Sequence, residues 1–149
     1  MDFSAEATRT AIAKGISFVG NSGLVVEVLE KGYTRMRMPF APNKNHVGTM
    51  YAGALFTLAE FPGGAIFLSS FDTTRFYPIV RDMSIRFRRP ATGDVWIEVR
   101  VSDDFVQKVQ AEAEANGKAD YEWESEIKDA SGTVVAISKS IFQLRKIGT

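Results

Sequence analysis

The chain has no cysteine and a single histidine. That excludes a disulfide framework, a thiolate zinc site, an iron–sulfur cluster and a cysteine nucleophile. It also lacks an excess of either charge, since 18 Lys and Arg balance 18 Asp and Glu. The field of the whole molecule therefore gives no reason to expect a nucleic acid or a membrane as partner. The opening MDFSAEATRT has no basic segment followed by an apolar one, so no signal peptide is read. No apolar run reaches the roughly 20 residues that cross a bilayer, and there is no internal repeat, low-complexity tract or linker. These absences lead to the expectation of a cytoplasmic protein that uses neither a metal nor a redox cofactor.

The 149 residues present are enough for one domain with a sizeable core. Residues 4–14 read as a short helix with Ser4 as N-cap and Gly15 as its stop. Residues 24–32 and 33–40 read as strands joined by a tight turn at Lys31-Gly32. In the second, Thr34, Met36 and Met38 alternate with Tyr33, Arg35 and Arg37, the pattern of a half-buried strand. Residues 41–45 are loop and 49–70 form a long helix. Residues 76–93 read as a strand with Met83, Ile85 and Phe87 on one face, ended by Pro90. Another strand at 94–102 is followed by a helix in 103–120 that closes at Asn116-Gly117, and strands at 121–132 and 133–146 complete the chain. Strands and helices do not alternate as in a doubly wound fold. The class is α+β, an antiparallel sheet curved around one apolar helix.

That helix contains an anomaly. In NHVGTMYAGALFTLAEFPGGAIFLSSF, Glu60 sits mid-segment, followed at once by Phe-Pro-Gly-Gly. Projected on a helix, Glu60 shares a face with Gly53, Phe56, Thr57, Gly63, Gly64 and Phe67, while Leu55, Leu58, Ala59 and Ile66 form an opposite, core face. Small residues around a carboxylate leave room for something other than protein. Pro62 deprives the Leu58 carbonyl of its donor, a local cost of roughly 3 kcal/mol. A buried carboxylate must be paired, open to a cavity or protonated, and the purely structural account pairs Glu60 with a sheet arginine such as Arg86 or Arg35. A helix starting between Tyr51 and Gly53 would direct free N–H groups and the positive dipole end outward, the geometry that stabilises an oxyanion. Glu60 would lie roughly 10 Å further along the axis. One acyl group could then meet N–H donors from one subunit and a carboxylate from another.

The stretch from Asn45 to Glu60 resembles the signature of hotdog-fold acyl-CoA thioesterases of the phenylacetyl-CoA thioesterase type. That signature runs Asn, two variable residues, Gly-Thr, a variable residue, His-Gly-Gly, then a helix reaching Leu-Ala-Asp or Leu-Ala-Glu. Asn45, Gly48, Thr49, Gly53, Phe56, Leu58, Ala59 and Glu60 fall in register. The resemblance covers roughly residues 20–146 and implies a single hotdog domain over 1–149, with residues 1–20 as an N-terminal helical extension. It further implies that Glu60 acts as general base on water or as nucleophile, that the Gly53 N–H polarises the thioester carbonyl, and that Asn45 orients water or thioester. Tyr51 stands where the family has histidine, Ala52 where it has the first glycine, and Gly64 where it often has Ser or Thr.

The remaining candidate substrate contacts are Thr49, Tyr51, Ala52, His46, Phe56 and Gly64. His46 is a solitary loop histidine, a kind more often structural than chemical. Among Arg81, Arg86, Arg88 and Arg89, the strand-end pair Arg88 and Arg89 is the candidate for coenzyme A phosphates, against the alternative of a solvated sheet face. Phe56, Phe61 and Phe67 fit either a pocket wall or core. No cofactor is implied beyond coenzyme A as part of the substrate, and a homodimer or dimer of dimers is implied, with sites at the subunit boundary. Two rival readings are a non-catalytic protein binding acyl-CoA or a small apolar ligand, and a structural dimer in which an arginine neutralises Glu60.

Overall fold

A computed structural model describes all 149 residues. Six antiparallel strands form one sheet in the order β1-β2-β4-β5-β6-β3. They are β1 (Val25–Glu30), β2 (Tyr33–Met38), β3 (Phe76–Phe87), β4 (Val95–Arg100), β5 (Lys118–Asp129) and β6 (Val134–Lys146). The expected central helix is two helices, α3 (Ala52–Glu60) and α4 (Pro62–Ser70), meeting at Phe61. Phe61 keeps helical dihedrals (φ −62°, ψ −34°), so the axis continues while the hydrogen-bond ladder is interrupted at Pro62. Between them, α3 and α4 touch all six strands. This is the hotdog layout, a sheet wrapped around a central helix.

Alternation along the strands produces that wrapping. Thr34, Met36 and Met38 are buried, as their spacing predicts. Across the sheet Met36 pairs with Ile97, which pairs in turn with Ile127, and Met38 pairs with Val95. These side chains form the inner surface that receives Leu55, Leu58, Ala59 and Ile66, all buried as projected. Phe61 and Phe67 are buried too, so they belong to the core, and only Phe56 of the three central phenylalanines faces outward. The 19-residue stretch Ala52–Ser70 has the length and composition of a membrane span, contrary to the expectation from run length. Most of it is buried inside the fold, where the sheet takes the place of lipid.

One local expectation is corrected. Ser4 does not cap the first helix, because its hydroxyl donates to Asp2 Oδ1 at 2.6 Å. The helix α1 (Glu6–Lys14) starts after Ala5 without a side-chain cap, and a second short helix, α2 (Ser17–Ser22), follows. By contrast, α5 (Asp103–Asn116) ends as expected at Gly117, φ 81°, and at its start Ser102 Oγ accepts from Phe105 N–H at 3.0 Å.

The two sheet edges differ. Along β1, α1 packs against the strand and Arg9 Nε donates to the Val26 carbonyl at 3.0 Å. The opposite edge, β3, is twelve residues long and pairs only with β6. Its Tyr77, Ile79, Val80 and Phe87 are exposed, and Met83 and Ile85, which face inward, are only half-buried.

Candidate active site

Residues 44–51 form a closed loop that delivers the chain to the start of α3. Asn45 organises it. Its Oδ1 accepts from the N–H groups of Val47 and Thr49, both at 3.0 Å, and its Nδ2 donates to Thr49 Oγ1 at 2.8 Å. Gly48 completes the turn at φ 85°, a conformation open to glycine at no steric cost. Two further bonds fix the exit: Met50 N–H donates to the Ala91 carbonyl and Tyr51 N–H to the Asn43 carbonyl, both at 2.8 Å. Asn45 thus uses its side chain to build the loop, leaving one Nδ2 hydrogen without a partner.

At the helix start the Tyr51 carbonyl accepts from Ala54 and Leu55. The N–H groups of Ala52 and Gly53 donate to nothing in the chain, and Tyr51 provides no side-chain cap. Two unpaired donors at the positive end of a helix are what an oxyanion site requires. Beside them lies a cleft of about 330 Å³, lined by Asn45, Thr49, Met50, Ala52, Leu55 and the segment from Phe87 to Ala91. Arg88 and Arg89 stand at its rim. Their backbone N–H groups both donate to the Val135 carbonyl, at 2.8 and 3.2 Å, and their side chains are exposed.

Glu60 lies elsewhere, on the outward stripe of the same helix with Gly53, Phe56 and Gly64. It is half-buried, and its carboxylate has neither an ion pair nor a hydrogen bond within the chain. Burial alone raises its carboxyl above the ordinary value of 4.5. The expected arginine partners are absent: Arg35 is held by Glu27 and Glu98, each at 3.0 Å, and Arg86 forms no ion pair. The account in which an arginine of the same chain neutralises Glu60 therefore fails.

The structure thus brings Asn45, Thr49, Ala52, Arg88 and Arg89 together at one cleft, and places Gly53, Phe56, Glu60 and Gly64 on a contiguous helix face beside it. His46 is exposed in the loop and makes no hydrogen bond. The glycine pair divides. A Cβ on Gly64 would meet nothing within 4 Å, as expected of a residue that clears space, whereas Gly63 is packed against Phe142. The cleft walls Met50, Leu55, Phe87, Pro90 and Ala91 escaped the sequence reading. They are joined by the long-range bond from Met50 to Ala91, for which no local signal exists.

Known structures share this fold. A Pseudomonas aeruginosa protein of unknown function, PA5026, called a probable thioesterase, is 54% identical, with 95% of each chain covered and a TM-score of 0.92. A mutant of the Pseudomonas aeruginosa thioesterase PA1618 is 14% identical over 99% of this chain and 96% of its own, with a TM-score of 0.74. The Haemophilus influenzae thioesterase HI1161 is 11% identical over 97% and 93%, also with a TM-score of 0.74. The last two establish the common fold. No curated protein matches the sequence. Residues 5–142 match the family described as a domain of unknown function, DUF4442, and the chain, a hotdog-fold protein, belongs to that family.

Proposed function

We propose that the protein is a thioesterase that hydrolyses an acyl-CoA or a related acyl thioester. The observation that carries this reading is the pairing, on one helix, of two unpaired N–H donors at Ala52 and Gly53 with an unpaired, half-buried carboxylate at Glu60. The fold, and the probable thioesterase with 54% identity, support it.

In this reading the thioester carbonyl oxygen accepts from the Ala52 and Gly53 N–H groups. Glu60 takes a proton from water as the water attacks the carbonyl carbon, or attacks that carbon itself to form an anhydride that water then opens. Either way the C–S bond breaks and the thiol leaves. A carboxylate raised by burial is a stronger base than an exposed one, which suits the first route. In this reading Arg88 and Arg89, which line the cleft, bind the coenzyme A phosphates. Asn45 and Thr49 hold the loop beneath the thioester, and Phe56 flanks the acyl group.

Gly53 and Glu60 are seven residues apart on one helix, roughly 10 Å along the axis. Both cannot serve one carbonyl from the same copy. A homodimer that pairs β3 with β3 would bring the Glu60 stripe of one copy toward the helix start of the other. The protected β1 edge and open β3 edge favour that pairing, as does the exposed apolar row along β3. We place the enzyme in the cytoplasm, acting without a metal or redox cofactor.

The test is thiol release from a panel of acyl-CoAs by the native protein and by Glu60→Gln. Hydrolysis abolished by the substitution supports the reading, and hydrolysis that survives unchanged overturns it. Tight acyl-CoA binding without turnover by the native protein would instead identify a binding protein.

A further inference from the structure

The Tyr51 ring lies against the first turn of α3. A Cβ built on Gly53 would stand 2.3 Å from Tyr51 Cε2, 2.9 Å from Cζ and 3.0 Å from Cδ2. Position 53 thus has a steric reason to be glycine, besides any use of its N–H: only a residue without a side chain admits the ring. The Tyr51 backbone is fixed, its N–H on Asn43 and its carbonyl on Ala54 and Leu55. Its side chain is not. The residue is 58% exposed, its hydroxyl has no partner, and contact with the helix start holds the ring in place. Rotation about χ1 would break no hydrogen bond.

A carbonyl oxygen received by the Gly53 N–H would lie about 2.9 Å from that nitrogen. The carbonyl carbon and its acyl substituent then come within a few ångströms of the Gly53 Cα, in the space the ring fills. Ring and acyl group compete for it. We propose that Tyr51 is a hinged aromatic cover over the Ala52–Gly53 donor pair, displaced by the acyl group on binding, and that it sets which acyl groups enter. This rests on the thioesterase reading for its substrate but not for the cover itself. In the unliganded protein the ring shields the half-buried Gly53 end of the pair, while Ala52 is exposed. Displacing it costs the same contact whatever the acyl group, whereas the space released is limited, so bulky acyl groups are hindered most. Tyr51 is a positioning residue here, and its hydroxyl takes no part.

The cover is tested first without chemistry. Hydrogen exchange of the Gly53 amide, followed by NMR, should speed up at least fivefold in Tyr51→Ala and stay within twofold of native in Tyr51→Phe. The second test measures association of acetyl-CoA and benzoyl-CoA with the Glu60→Gln protein by stopped flow. Adding Tyr51→Ala should raise the benzoyl-CoA association rate about tenfold and the acetyl-CoA rate less, while Tyr51→Phe changes neither. Unchanged exchange and unchanged association rates in Tyr51→Ala would overturn the proposal. So would a Tyr51→Phe protein that matches Tyr51→Ala, since the hydroxyl would then be the active part. If the native enzyme turns over no CoA thioester, the thioesterase reading falls, yet the exchange comparison still decides the cover.

Discussion

Gly63 lies flat against the ring of Phe142, so close that a Cβ on it would stand 2.4 Å from Cε1 and 2.6 Å from Cζ. Phe142 cannot give way easily, because its ring is packed between Tyr121, at 5.3 Å between centroids, and Trp123, at 4.7 Å. Gly63 is thus one point of close approach between α4 and β6, and the two glycines after Pro62 have separate reasons. Gly63→Ala should overpack the core and cost about 1–3 kcal/mol, lowering Tm by about 2–12 °C. Gly64→Ala meets nothing and gains helix propensity of up to about 1 kcal/mol. Calorimetry on the two variants should therefore give shifts of opposite sign. If Gly64 faces bound substrate, Gly64→Ala loses acyl-CoA hydrolysis while keeping or gaining stability.

Glu60→Gln should lower turnover by about 10²–10⁴-fold, the usual contribution of a general base, while leaving thioester binding largely intact. The measurement is thiol release under saturating substrate, with binding followed separately by calorimetry. A Gln variant that binds poorly but turns over normally would assign Glu60 to affinity alone.

The same carboxyl predicts two pH dependences. Its folded-state pKa is raised by burial above 4.5, so the folded protein holds this proton more tightly than the unfolded chain. The stabilising contribution is complete below about 4.5 and is lost as pH rises through the folded value. Glu60→Gln removes this loss. Its stability relative to native should rise with pH across that window and then level off, as read from urea midpoints. If Glu60 is the general base, activity runs the other way, because only the ionised form accepts the proton. The acid limb of kcat/KM should fall at a pH above 4.5, and a limb at or below it would exclude Glu60 as the group observed.

The fold was legible because its signals are local and repeated. Alternation in 33–38 and the helix stop at Asn116-Gly117 are each contained within a few residues, and the structure follows them. Ser4 was misread for the same reason: a neighbour, Asp2, competes for the hydroxyl, and propensity alone does not rank the two partners. At the site, the spacing from Asn45 to Glu60 located the helix start and the outward carboxylate. It did not reveal the wall from Phe87 to Ala91, which reaches the helix through one backbone bond across some forty residues. Nor did it separate Gly63 from Gly64, because adjacent glycines look alike until Phe142 is placed beside one of them.

Asn45 provides a case in which structural and chemical roles can be told apart. Asn45→Ala leaves the N–H groups of Val47 and Thr49 without their acceptor and should cost about 1–3 kcal/mol. Asn45→Asp keeps that acceptor, and Thr49 Oγ1 can turn to donate to it. If loop building is the main task, Asn45→Asp should retain Tm and most of its activity, whereas Asn45→Ala loses both. If the unpaired Nδ2 hydrogen serves the substrate, Asn45→Asp keeps its Tm and loses activity.

The open edge gives the last prediction. Two copies paired along β3 would bring each strand against its own symmetry mate, so a charge added to one is met by the same charge on the other. Ile79 and Val80 are exposed on this edge, 38% and 45%. Replacing both by Glu should weaken self-association at least tenfold, about 1.4 kcal/mol, without disturbing the buried core. Sedimentation velocity over a dilution series would measure it. If Glu60 of one copy serves the helix start of another, specific activity should fall on dilution in step with the dimer fraction, and the double variant should reach that low value at higher concentration. A variant that remains dimeric and fully active would place the interface, and the shared site with it, on another face.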